Sequence, residues 1–180
     1  VKNNIKNMDV VNYINLLNNN TSTTLQLAKT CSAEQLLYTK NSCWNILQIL
    51  EHIYVTDKVV ITLLLHPSDK RADTPEIIGN DTLKKYIVEL RNRKVQAPES
   101  IQPKGEIKDV ATFEHLFLEQ RNLLKHYLES GKIVINTTTH KHPFLGEMTI
   151  TDWLNFIIHH TQRHLEQIKD NLTAFKPETN

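Results

Sequence analysis

Glycine is scarce, with 4 residues in 180, and no Asn-Gly or Asp-Gly turn joins two alternating β-branched runs. A chain built of hairpins needs such turns, so their absence points to helices. The 2 cysteines, Cys31 and Cys43, form no CxxC, which excludes a zinc ribbon and argues against a disulfide framework. They read as thiols of a reducing cytosol. The longest apolar run, VVITLLL at 59–65, is interrupted by threonine, and the opening VKNNIKNMDVV lacks the apolar core of a signal peptide. The expectation is therefore a soluble, cytoplasmic chain with no membrane partner. Charge of one sign is also lacking: 21 basic and 20 acidic side chains leave a net charge of +1. A nucleic-acid binder concentrates basic charge, so nucleic acid is not the expected partner. HExxH, a Gly-rich phosphate loop, a GxSxG elbow and a Rossmann fingerprint are all missing, as is Glu-x-x-His on the long helical segments. Those absences remove the zincin, nucleotide-binding, α/β-hydrolase and di-iron carboxylate chemistries.

What is present is an ordinary globular composition, 39% hydrophobic and 23% charged, in a chain long enough for one domain spanning 1–180. Four long periodic segments can be read. The first covers about 9–31, is rich in asparagine, and repeats Tyr13, Leu16, Leu17, Leu27 and Ala28 on one face. The second opens after Ser42 as N-cap and runs from Cys43 to near His66, where Pro67 stops it. The third spans about 109–130, with Phe113, Phe117, Leu124, Tyr127 and Leu128 in register and Gly131 closing it. The fourth begins at a capping box, Thr149 to Asp152, and continues to about Leu172. Between the second and third lies a connection of 67–108, with a side helix at 81–93 and an extended, proline-bearing stretch APESIQPKGE. A crossover of that length lets the second and third helices run parallel. The fold class expected is all-α, a four-helix bundle with one long crossover, and 132–148 packed irregularly over one end.

The histidines carry the chemistry. Positions i and i+4 of a helix lie about 40° apart, so they share a face. On the fourth helix His160 and His164 fall within the stripe of Trp153, Phe156, Ile157, Gln167 and Ile168, whereas His159 lies about 100° away and reads as outward. On the second helix His52 shares an inward face with Gln48, Val55, Thr56, Val59 and Leu63. Two imidazoles one turn apart plus a third from a facing helix suit a divalent ion with an open coordination position. Of the remaining histidines, His66 and His142 precede prolines at element ends, His115 and His126 fall on a polar face, and His140 sits in a loop. These read as surface or capping residues.

Four stretches carry a family resemblance: WNILQILEHI at 44–53, APESIQP at 97–103, FLEQRNLLKHYL at 117–128 and HPFLGEMTITDWLNFIIHHTQRHLEQI at 142–168. In that order they resemble the DinB-like superfamily, also called YfiT-like metalloenzymes, whose members enter the last helix through HP…G…T…W and carry H-x-x-x-H-x-x-Q on it. The match places His160, His164 and Gln167 on that pattern and His52 at the family's second-helix ligand. The resemblance implies a bundle holding zinc or nickel, a homodimer, and a metal-dependent S-transferase acting on a low-molecular-weight thiol and an electrophile. Gln48, Gln120 and Arg121, on or near inward faces, are candidates to orient that thiol. Two alternatives stay open: metal-assisted hydrolysis, and a non-catalytic bundle in which the ion only staples helices.

Overall fold

The structure, a computed structural model, describes residues 9–39, 43–90 and 96–176. Four long helices dominate it: α1 (Val10–Lys29), α3 (Ile46–Leu65), α5 (Val110–Glu129) and α6 (Ile150–Ala174). Short helices α2 (Ala33–Leu37) and α4 (Asn80–Lys84) and a two-stranded hairpin, β1 (Thr139–His142) and β2 (Gly146–Thr149), complete the named elements.

Each long helix starts where a side chain accepts from its otherwise unpaired first-turn amides. Asp9 caps α1, Asp109 caps α5 and Thr149 forms the reciprocal box with Asp152 that opens α6. The second long helix starts later than expected. Asn45 caps it in a box with Gln48, so α3 opens at Ile46, while Ser42 lies outside the described residues. Asn at the cap with Gln three residues on satisfies two amides at once, which a lone serine cannot do. Gly131, at φ +73°, follows the end of α5 in the left-handed conformation that only glycine adopts freely.

Within the bundle α1 packs on α5 and α6, and α3 packs on the same two helices. The directions follow from the contacts. Tyr13 bonds the Leu154 carbonyl and Asn20 the Ile158 carbonyl, so α1 and α6 ascend together. Lys29 meets Glu114 while Lys125 meets Asn18, so α1 and α5 are antiparallel. Trp44 lies by Asn171 and His52 by His164, so α3 and α6 are antiparallel as well. It follows that α3 and α5 run parallel, as the long crossover requires. Two apolar clusters fill the interior, one around Leu17, Leu64, Leu124 and Trp153, the other around Ile49, Ile53, Phe113, Phe117 and Ile168.

Several expectations change. Leu16 and Val59 are 51% and 45% exposed, so the inward faces of α1 and α3 are narrower than their apolar spacing suggested. The side helix is α-helical only from Asn80 to Lys84 and widens into a π-turn at Lys85–Glu89, with Arg93 outside the described residues. Part of the extended crossover is a 3₁₀ turn at Glu99–Ile101. The irregular cover over the bundle end contains the hairpin, paired from Thr139↔Thr149 to His142↔Gly146.

A three-histidine centre between α3 and α6

His52 on α3 and His160 and His164 on α6 are all buried, and their ligand atoms lie within 4.8 Å of one another. The one-turn spacing on α6 sets two rings edge to face 4.5 Å apart, and the antiparallel crossing brings His52 to 5.0 Å and 4.7 Å from them, centroid to centroid. This is a group that could hold a metal ion.

Hydrogen bonds set the tautomers. His52 Nδ1–H donates to the Ile101 carbonyl at 2.7 Å, and His164 Nδ1–H donates to Gln167 Oε1 at 2.8 Å. Both rings therefore present a bare Nε2, the arrangement by which outer partners orient histidine ligands. His164 Nε2 faces His160 Nε2 at 3.1 Å. Two lone pairs that close repel, so a proton carried by His160, or a cation, must lie between them. Tetrahedral ligands at about 2.0–2.1 Å from an ion sit about 3.3 Å apart, so the α6 pair already has that spacing. His160 Nδ1 is buried with no hydrogen-bond partner.

The electrostatics keep these rings neutral. Burial is the largest cause of depression for all three: His52 is lowered, His160 is held well below the ordinary imidazole range, and His164 falls to about 3. The neighbouring imidazoles add to the effect at His160 and His164, because charging one penalises the next. Neutral imidazole is the form that ligates a metal.

Two buried carboxylates fix the crossover over this site. Glu51, beside His52, accepts from the amides of Lys104, Gly105 and Glu106 at 2.8, 3.0 and 3.1 Å. Gly105, at φ +80°, turns its amide into that cluster. Asp152 accepts from Ile77 and Gly79 at 2.8 and 3.0 Å while also closing the α6 cap. Beyond Ile101 opens a cleft of about 490 Å³, lined by Gln96, Ala97, Pro98, Glu99 and Gln102 on one side and Phe144 on the other. From His160 towards Phe144 the rings of Phe156, Trp153 and His142 form an aromatic wall.

The other candidate residues are placed as follows. Gln167 holds His164. Gln48 gives its side-chain oxygen to the α3 cap. Gln120 donates to the Tyr54 carbonyl at 3.2 Å. Arg121 is buried in the middle of the bundle, 2.7 Å from Asp57 and bonded to Asn20 and Thr161. Burial raises Asp57 to about 6 against the opposing pull of Arg121. Sequence reasoning gave no role to Glu51, whose signal was an acidic residue on an inward helical face.

Three histidines read as surface or capping residues are placed differently. His159 is buried and its Nε2 meets Asn80 Oδ1 at 2.8 Å, because α4 covers the back of α6. His140 is buried on β1. His142 is half-buried against Trp153 and Phe156, and burial lowers it to about 4. By contrast His66, His115 and His126 are exposed, as their positions implied.

The fold and site together define a helical-bundle protein with a buried three-histidine centre between α3 and α6. The DinB superfamily profile matches residues 16–168, and the chain belongs to that family. It is similar to the uncharacterized protein YuaE of Bacillus subtilis (strain 168), 27% identical over 128 residues that make up 71% of this chain and 76% of that protein. No solved structure matches. Among the described residues no helix is long and apolar enough to cross a membrane.

Proposed function

We propose that the chain binds a divalent ion, zinc or nickel, through His52, His160 and His164 and acts as an S-transferase, joining a low-molecular-weight thiol to an electrophile. The observation that carries the reading is the convergence of three buried, neutral imidazoles, of which His52 and His164 turn bare Nε2 atoms inward. Three nitrogen ligands leave room for a fourth partner, the pattern of catalytic and not of structural sites. Bound there, the ion supplies a Lewis acid that lowers a thiol's pKa, so that thiolate is available near neutrality. The protein does the rest. Ile101 and Gln167 hold the ligand rings, burial keeps protons off them, and the crossover pinned by Glu51 shapes one wall of the cleft that receives the remainder of the two reactants.

Metal-assisted hydrolysis fits less well, because it needs a general base near the ion. Glu51, the carboxylate adjacent to His52, is committed to three amides. The reading extends to a cytoplasmic homodimer, which sedimentation can test. The deciding experiment is metal analysis of the purified protein followed by turnover with a panel of thiols, bacillithiol included, against an alkylating electrophile. Stoichiometric metal and a metal-dependent rate are expected. Ester or amide cleavage without thiol transfer would favour the hydrolase, and metal that changes only the melting temperature would favour a structural staple.

A further inference from the structure

His142 stands apart from the three-histidine cluster yet is separated from it by one ring. Phe156 lies 5.1 Å from His142 and 5.2 Å from His160, centroid to centroid. His142 Nδ1 accepts from the amides of Phe144 and Leu145, both at 3.1 Å. The side chain thus closes its own turn as an aspartate or asparagine does, through the second and third amides that follow it. That commitment has a chemical consequence. A nitrogen accepting two N–H bonds carries no proton, so the neutral ring must hold its proton on Nε2. This Nε2–H has no hydrogen-bond partner among the described residues, and Phe144, next in the turn but one, lines the cleft. The tautomer is therefore set by the hairpin, and the donor it creates has no protein acceptor among the described residues.

We propose that His142 is a ligand-binding residue, its Nε2–H donating to an oxygen acceptor on a small thiol whose sulfur lies at the three-histidine centre. The inference rests on the metal-binding reading above and adds the substrate feature selected: a carboxylate or carbonyl oxygen a few bonds from the sulfur. Phe156 and Trp153 pack the ring so that the donor is held in place without a charge.

Two substitutions separate this role from a purely structural one. His142→Asn keeps an acceptor near the turn amides and removes the distal donor; His142→Gln places an amide N–H near the Nε2 position and gives up the turn acceptor. The full chain is loaded with cobalt(II), whose visible absorption reports thiol binding, and titrated with 3-mercaptopropionate and with 1-propanethiol. The wild type should prefer the carboxylate thiol by about tenfold or more, in line with one hydrogen bond to a charged group. His142→Asn should lose that preference with cobalt affinity unchanged, and His142→Gln should keep most of it despite a lower melting temperature. Loss of preference in His142→Gln with retention in His142→Asn would overturn the proposal and assign His142 to the turn alone. Failure of the wild type to bind cobalt would instead overturn the metal reading, and this inference with it.

Discussion

At the scale of single residues, the site depends on which nitrogen of each imidazole is free. His52 and His164 have their Nδ1 protons tied to Ile101 and Gln167, so each turns Nε2 inward. Replacing His160 or His164 by alanine should abolish stoichiometric metal, since either change leaves two nitrogens in place of three. His159→Ala should retain the metal and lose about 1–3 kcal/mol of stability, because Asn80 Oδ1 loses its partner and a buried ring is removed. Metal content by mass spectrometry and thermal melts check both, and full retention by the His160 variant would sink the assignment. The inward pair was legible because helical spacing alone puts residues 160 and 164 on one face. His159 was not, since its burial comes from α4, whose position is set by Asp152 binding the amides ahead of it. A helical wheel shows which residues share a face, not how many faces are covered.

Among elements, the crossover is the one whose placement matters most to the site. Its hold on α3 is Glu51, and its contact with a cluster histidine is the Ile101 carbonyl. Glu51→Gln preserves shape but leaves one oxygen to serve amides that a carboxylate served with two. Amide exchange at Lys104, Gly105 and Glu106 should accelerate, and metal affinity should fall by about 10–100-fold through the loosened Ile101 contact. Unchanged affinity together with faster exchange would show that the crossover does not orient His52. The four long helices were readable from apolar periodicity and caps. The hairpin was not: its strands are four residues each, β1 reads THKH without apolar alternation, and its turn holds proline where a tight two-residue hairpin would show Asn-Gly. The short helix α2 did carry a signal, the box from Ser32 to Gln35.

For the molecule as a whole, buried titratable groups tie stability to pH in opposite directions. The cluster rings and His142 have folded pKa values below that of an ordinary imidazole, about 6.5. Their contribution is complete above that value and is lost as pH falls towards the folded values, about 4 for His142 and about 3 for His164. Asp57 opposes them. Its folded value of about 6 makes the buried carboxylate a cost above that pH, relieved as it protonates. Four histidines outweigh one carboxyl, so the metal-free protein should melt at progressively lower temperature from pH 7 to pH 4.5. Bound metal should stay on the folded chain through that range and be released only as pH approaches the folded value of His164, about 3, or as the protein unfolds. A melting temperature that rises on acidification would place Asp57 and Arg121, which spans all four long helices through its contacts, in control instead.

The distance along the chain between His52 and His160 also governs the order of events in folding. One ligand lies in the first third of the sequence and the other two near its end, so α3 and α6 must dock before all three nitrogens meet. Of the three ligands, the unfolded chain can bring together only the α6 pair, itself dependent on a formed helical turn. An ion that binds after docking stabilises the native state without helping the chain reach the barrier. Metal should therefore slow unfolding while leaving the refolding rate in stopped-flow experiments nearly unchanged. Faster refolding with metal present would show that α3 and α6 are already joined at the rate-limiting step.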